Sequence, residues 1–298
     1  MTLKEKIDSN QFIVCGEIGP PQSCDGDVIR NKSKHFKGYV DAVNITDNQK
    51  AVARLSSIAS AKILLEEGVE PIIQMTCRDR NRLAIQSELM GAAAMGIRNV
   101  LCLTGDHQKF GDHPEARGVF DLDSIQLVAT VSGMNEGFLL SHHEMKKATA
   151  FLIGAAANPF AQPLEMRLIR LQKKVQAGAH FIQTQPVFDI EIFTGWMERV
   201  VEMGLHEKTV ILAGILPVKS AKTLLWMKEE VPGIRIAEKY IQRMQGAGDP
   251  EKEGVAMAVE MIQTLRQIKG VRGIHLMPAM WESITPTIIR DAGLQRTN

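Results

Sequence analysis

Residues 80–106 read RNRLAIQSELMGAAAMGIRNVLCLTGD. Helix formers with apolar residues at helical spacing run from 80 to 95, Gly96 stops them, and an apolar run follows at 99–104. A helix ended by a left-handed glycine and followed at once by a strand is the αβ turn of a repeating β/α unit. The same succession recurs along the chain. Helical patterns over 50–67, 163–177 and 251–269 end at Gly68, Gly178 and Gly270. Strands are expected at 11–18, 40–46, 71–76, 99–104, 151–157, 181–187, 209–216 and 273–279. Most are short, continuous apolar runs, as parallel strands covered on both faces require. Eight such units predict an α/β chain folded as a single (β/α)8 TIM barrel over residues 1–298, with its active site at the C-terminal ends of the strands. The rival is an open doubly wound sheet, but no GxGxxG follows any expected strand.

Composition narrows the function classes. The chain has 35 basic and 34 acidic side chains, so its net charge of +1 supplies no field for nucleic acid or an anionic membrane. No apolar run is long enough for a membrane span, and the polar start MTLKEKIDSNQ lacks the apolar centre of a signal peptide. Cys15, Cys24, Cys77 and Cys102 are scattered, form no CxxC, and fit a reduced, cytoplasmic setting without metal or cluster ligands.

Polar residues gather where the strands end. They are Glu17, Asn44, Thr46, Gln74, Thr76, Thr104-Gly105-Asp106, Asn158, Gln183, Gln185 and His275. Any one of them could be a hydrogen-bonded core group; a ring of them at one end points to a site. Burial at a barrel mouth disfavours an ionised carboxyl and suits it to donating a proton, a role that Glu17 fits. A structural ion pair to a lysine or arginine is the other reading of Glu17. Gly105 would let a ligand lie flat against the backbone beside Asp106, or Asp106 caps a turn. The long stretch 105–122 after the fourth strand is expected to be functional or mobile. His107, His113, His142 and His143 match no ligand spacing, so no metal is expected. The helix around RLIRLQKKV presents Arg167, Arg170, Lys173 and Lys174, either as a solvated face or as a grip on cofactor phosphates.

The succession GEIGPPQ, AVNIT, QMTCRDRNR, LCLTGD, LQKKVQAGAHFIQTQPVFD and LAGILPV, from about residue 11 to 280, resembles the methylenetetrahydrofolate reductase family. The resemblance implies a flavoprotein barrel that reduces 5,10-methylenetetrahydrofolate to 5-methyltetrahydrofolate, an oxidoreductase of one-carbon metabolism. It implies Glu17 as the general acid that opens the folate ring, Asp106 as a catalytic and substrate-binding carboxylate beside the flavin, and Gln185 as a substrate ligand. It places Asn44, Gln74, Thr104, Gly105, Asp106, Asn158, Arg170, Lys173 and Lys174 around the cofactor, FAD with FMN as the alternative.

The chain also departs from the family pattern. Ala221 stands where an aromatic residue would stack on nicotinamide, Thr104 replaces an arginine, Gln74 a histidine and Asn158 a tyrosine. Trp281 takes the place of the arginine that meets the folate tail. These changes point away from direct NADH oxidation and toward an iron–sulfur partner subunit that supplies electrons; an oligomer is expected. Two other readings are a flavin-free pterin-binding barrel of a methyltransferase system and a non-catalytic docking subunit.

Overall fold

In the computed structural model, which describes residues 1–231 and 233–295, each of the eight apolar runs forms a strand. Residue 232 and the last three positions of the expected 1–298 domain lie outside the described residues. The strands are β1 (Ile13–Ile18), β2 (Ala42–Ile45), β3 (Pro71–Thr76), β4 (Asn99–Leu103), β5 (Leu152–Ala157), β6 (Phe181–Pro186), β7 (Val210–Ile215) and β8 (Val271–Leu276). They close in chain order into one parallel barrel, with β8 returning to pair with β1. Around them lie α1 (Leu3–Asp8), α2 (Asp27–Ser33), α3 (Ser57–Glu66), α4 (Arg82–Ala94), α5 (Ser124–Asn135) and α6 (Leu164–Gln176). The circuit continues with α7 (Ile190–Glu202), α8 (Ala221–Glu230), α9 (Glu238–Gln245), α10 (Pro250–Leu265) and α11 (Thr285–Asp291).

Local chemistry sets the helix ends. Asn81 accepts from the amides of Leu83 and Ala84 at the start of α4, and Asp123 forms a capping box with Gln126 at the start of α5. Gly68, Gly96 and Gly178 directly follow the C-caps of α3, α4 and α6 with positive φ, between +73° and +113°, as the stop signals required. Gly270 also has positive φ, +88°, but α10 ends earlier, at Leu265, and Gly270 instead turns the chain into β8.

Two apolar layers hold the barrel. Ile13, Cys15, Ala42, Ile72, Leu101, Phe181 and Leu212 fill the lower interior, with Leu3 and Ile7 of α1 sealing its N-terminal end. Gly154 is where Phe181 crosses the interior, since a Cβ there would sit 2.2 Å from its ring. A larger layer, including Ile73, Val100, Ile153, Trp196 and Ile262, packs the outer face of the strands against the helices.

Several expected boundaries differ by a few residues, among them the helix expected over 251–269, which ends at Leu265, and two have a clear local cause. The helix expected over 50–67 begins only at Ser57, because Lys50 and Ala51 are left-handed and Ser56 supplies the cap. The strand expected over 273–279 spans Val271–Leu276 instead, and Ala279 and Met280 have φ of +46° and +70°, which no strand accommodates.

Candidate active site at the strand ends

Side chains alternate along each strand, so inward Ile13 and Cys15 put Glu17 inward at the mouth of the barrel. By the same alternation Asn44, Gln74, Gln183 and His275 form the polar layer just above the apolar interior. Gln74 Nε2 donates to Glu17 Oε2 at 3.1 Å, and His275 Nε2 lies 3.5 Å from the same oxygen. The groups facing Glu17 are therefore Gln74 and His275, not a lysine or arginine. Oε1 has no protein partner among the described residues, and the Glu17 side chain is 14% exposed. Asn44 Nδ2 donates to the Gly16 carbonyl, while Asn44 Oδ1, Thr46 Oγ1, both amide atoms of Gln183 and His275 Nε2 are buried without a hydrogen-bond partner. Each such atom costs about 1–3 kcal/mol if left unsatisfied, so this floor offers several polar atoms to water or to a bound molecule.

A second feature lies beside this floor. Ala156, Asn158, Arg167, Arg170, Lys174, Gln185 and Trp196 line a cavity of about 190 Å³ between the ends of β5 and β6 and the helix α6. Lys174 Nζ donates to the Ala156 carbonyl at 2.6 Å and has no carboxylate in direct contact. Burial first, then the Arg170 charge, lowers its pKa to about 8. Three cations around one cavity, of which Arg167 and Lys174 have no carboxylate in direct contact among the described residues, fit the phosphates of a nucleotide cofactor. The volume suits that portion and not a whole dinucleotide. Arg170 also reaches Asp123 at 3.5 Å.

The expected site residues divide. Glu17, Asn44 and Gln74 meet at the mouth, and Asn158, Gln185, Arg170 and Lys174 meet at the cavity. Asn158 Oδ1 accepts from the Phe160 amide, an Asx turn that fixes its orientation. Lys173 is exposed and does not line the cavity, because one step along α6 turns it to solvent. Thr104 lies one residue out of phase with inward Leu101 and Leu103. Its hydroxyl accepts the Ser124 amide at 3.2 Å, so it serves the start of α5 and faces away from the mouth. Asp106 is exposed, and its backbone carbonyl accepts from Arg78 Nη1 at 3.2 Å. Gly105 has φ +93°, and a Cβ there would lie 3.0 Å from Arg78 Cβ and 3.1 Å from Thr76 Cβ. Glycine is thus required by packing against the β3 end, a reason different from the one expected.

Several contributors were not foreseen. Arg78 ties three loops together, donating to the Asn48 and Asp106 carbonyls and pairing with Asp79. The stretch 105–122 folds across the rim: Gln22 and the Ala53 amide both donate to Asp112, and the amides of Val119 and Phe120 bond back to Arg78 and Cys77. Trp196 lines the cavity with its Nε1 unpaired. The signal for Arg78 was present as a run of charge, CRDR, directly after a strand.

Comparison with known proteins then decides the lineage. A sequence profile described as methylenetetrahydrofolate reductase matches residues 2–293. The chain belongs to the methylenetetrahydrofolate reductase family. The probable methylenetetrahydrofolate reductase (NADPH) of Caenorhabditis elegans is 26% identical over 98% of this chain and 44% of its own length. The 5,10-methylenetetrahydrofolate reductase of Escherichia coli is 26% identical over 70% of this chain and 65% of its own. The chain thus spans less than two thirds of the length of these reductases. Among solved structures, an uncharacterized Clostridium thermocellum protein that binds two copies of 5-methyl-5,6,7,8-tetrahydrofolic acid superposes with a TM-score of 0.69. The two are 15% identical, and the match covers 98% of this chain and 99% of that one, a likeness of fold. No helix among the described residues is long and apolar enough to cross a membrane.

Proposed function

We propose that this member of the family reduces the methylene group of 5,10-methylenetetrahydrofolate to the methyl group of 5-methyltetrahydrofolate with a bound flavin nucleotide. The observation that carries the reading is Glu17: an inward carboxyl at the mouth, held through one oxygen and open at the other, above a layer of unpaired polar atoms. Family membership and the folate bound by the C. thermocellum protein support the substrate class.

In this mechanism Glu17 gives a proton to N10 of the folate, opening the five-membered ring to a 5-iminium cation. Asp106, exposed at the end of β4, offers a negative charge to that cation, and Gln185 offers an amide at the lip of the cavity. A reduced flavin supplies, when bound, the hydride that the methylene carbon accepts. Arg170 and Lys174, joined by Arg167, hold the phosphates of FAD or FMN, and Asn158 lines the same cavity. One proton and one hydride enter per methyl group formed, so the reaction balances.

The electron source in this proposal is a partner subunit carrying an iron–sulfur relay, in a cytoplasmic oligomer. Its support is Ala221, the first residue of α8, which brings no ring to stack on nicotinamide. The test is anaerobic absorbance on the purified chain, with the flavin reduced chemically and then mixed with methylenetetrahydrofolate. Reoxidation by the folate, with no bleaching of the oxidised form by NADH, supports both parts. Bleaching by NADH removes the need for a partner. A colourless protein that takes up no flavin overturns the reductase reading in favour of a pterin-binding barrel.

A further inference from the structure

We infer that His275 is the positioning partner of Glu17, an inference that rests on the folate-reducing reading above. Strand β8 pairs with β1 so that His275 stands opposite Cys15, one pleat below Glu17, and its ring reaches up to within 3.5 Å of Glu17 Oε2. The ring is 4% exposed. A histidine that only fills a core position pairs its ring nitrogens with backbone or solvent. Here Nε2 has no hydrogen-bond partner, and the Glu17 carboxylate is the acceptor facing it. On the other side, β7 presents Gly214 opposite His275, which brings no side chain. Cys15 of β1 and Glu17 are thus the titratable groups on the adjoining strands.

Glu17 gives up a proton in every turnover, and its open oxygen, Oε1, faces the mouth, so the refilling proton comes from water and forms the O–H bond there. Gln74 and His275 meet the other oxygen, Oε2, at 3.1 and 3.5 Å. Gln74 donates from its amide, and an Nε2–H on His275 is placed to donate as well. The two hold the carboxyl so that Oε1, with the proton it carries, stays turned to the open side. One proton enters from solvent and one leaves on N10.

The experiment uses the flavin-loaded chain, reduced anaerobically, with two electron acceptors: methylenetetrahydrofolate, which needs the proton from Glu17, and the quinone menadione, which does not. In His275→Leu, which has no donor, reoxidation by the folate is expected to slow at least about tenfold with a folate KM within about twofold of the original. His275→Gln, which keeps a donor, is expected to recover part of the rate. Reoxidation by menadione is expected to stay within about twofold, which shows a folded, loaded protein. Added imidazole is expected to restore folate turnover to His275→Gly. An unimpaired His275→Leu in an otherwise active protein overturns the inference alone, and so does equal loss with both acceptors, which marks a structural role. An unsubstituted chain that ignores the folate but reacts with menadione overturns the proposed reaction and this inference together.

Discussion

Arg80 grips Asp47 with both terminal nitrogens, at 2.7 and 3.1 Å, and so joins the loops that follow β2 and β3. Asp47 also accepts from the Thr76 amide and hydroxyl, and both partners are largely buried. Removing Arg80 strands buried Asp47 without a counter-charge, whereas removing Asp47 leaves Arg80 paired with Glu88 at 2.7 Å. Arg80→Ala is expected to lose about 3–5 kcal/mol in urea unfolding, Asp47→Ala less, and the double substitution less than the sum. A loss under about 1 kcal/mol from Arg80→Ala would show that solvent replaces the partner.

Lys174 couples the cavity to pH. Its folded pKa of about 8 lies below the ordinary 10.5, so between those values the unfolded chain holds more protons than the folded one. Folding stability of the ligand-free chain therefore rises with pH across that window, by up to roughly 3 kcal/mol from this residue. Comparison of melting curves with Lys174→Met isolates the effect. A phosphate-bearing ligand favours the charged form, so flavin nucleotide binding near pH 9 is expected to take up protons. Calorimetry in two buffers of different ionisation enthalpy reads that uptake directly, and its absence would place the phosphates elsewhere.

Glu17→Gln keeps the shape of the side chain and a hydrogen-bonding partner for Gln74 while removing the acid. Folate turnover is expected to fall about 10²- to 10⁴-fold, with flavin content and chemical reduction of the flavin unchanged. Stopped-flow reoxidation measures it, and a rate within about threefold of the original would assign the proton to another group.

Thr104→Val separates structure from site. Loss of its bond to the Ser124 amide is expected to cost about 0.5–2 kcal/mol of stability. Flavin affinity, measured by fluorescence titration, is expected to be unchanged. A weakened flavin with unaltered melting would return Thr104 to the cofactor site.

The barrel was legible because its punctuation is local: Gly68, Gly96 and Gly178 with positive φ stop helices just before apolar runs, wherever the rest of the chain goes. Misreading began where rim contacts overrule propensity. Lys50 to Arg54 are fair helix formers, yet the Ala53 amide bonds to Asp112, and Arg54 spends its amide on Asn48 and its guanidinium on the Pro20 carbonyl. Glu17 stood out as an acid ending an apolar strand. Gln74 and His275 were named in the same ring, but their meeting on Glu17 was not legible, because the stagger of a closed barrel brings β3 and β8 to the same oxygen from positions about 57 and 258 residues away in the chain. Thr104 was misplaced by a single step of alternation, enough to turn a side chain from the mouth to the helix layer.

Leu3 and Ile7 of α1 seal the N-terminal end of the barrel, and Phe181 with its neighbours fills the interior above them. The molecule is accordingly a cup and not a tube. Whatever reaches the strand ends arrives and departs over one rim, so two large visitors must queue or share the opening. A second substrate present in excess should then slow the first by occupying the shared doorway, without altering any residue beneath it.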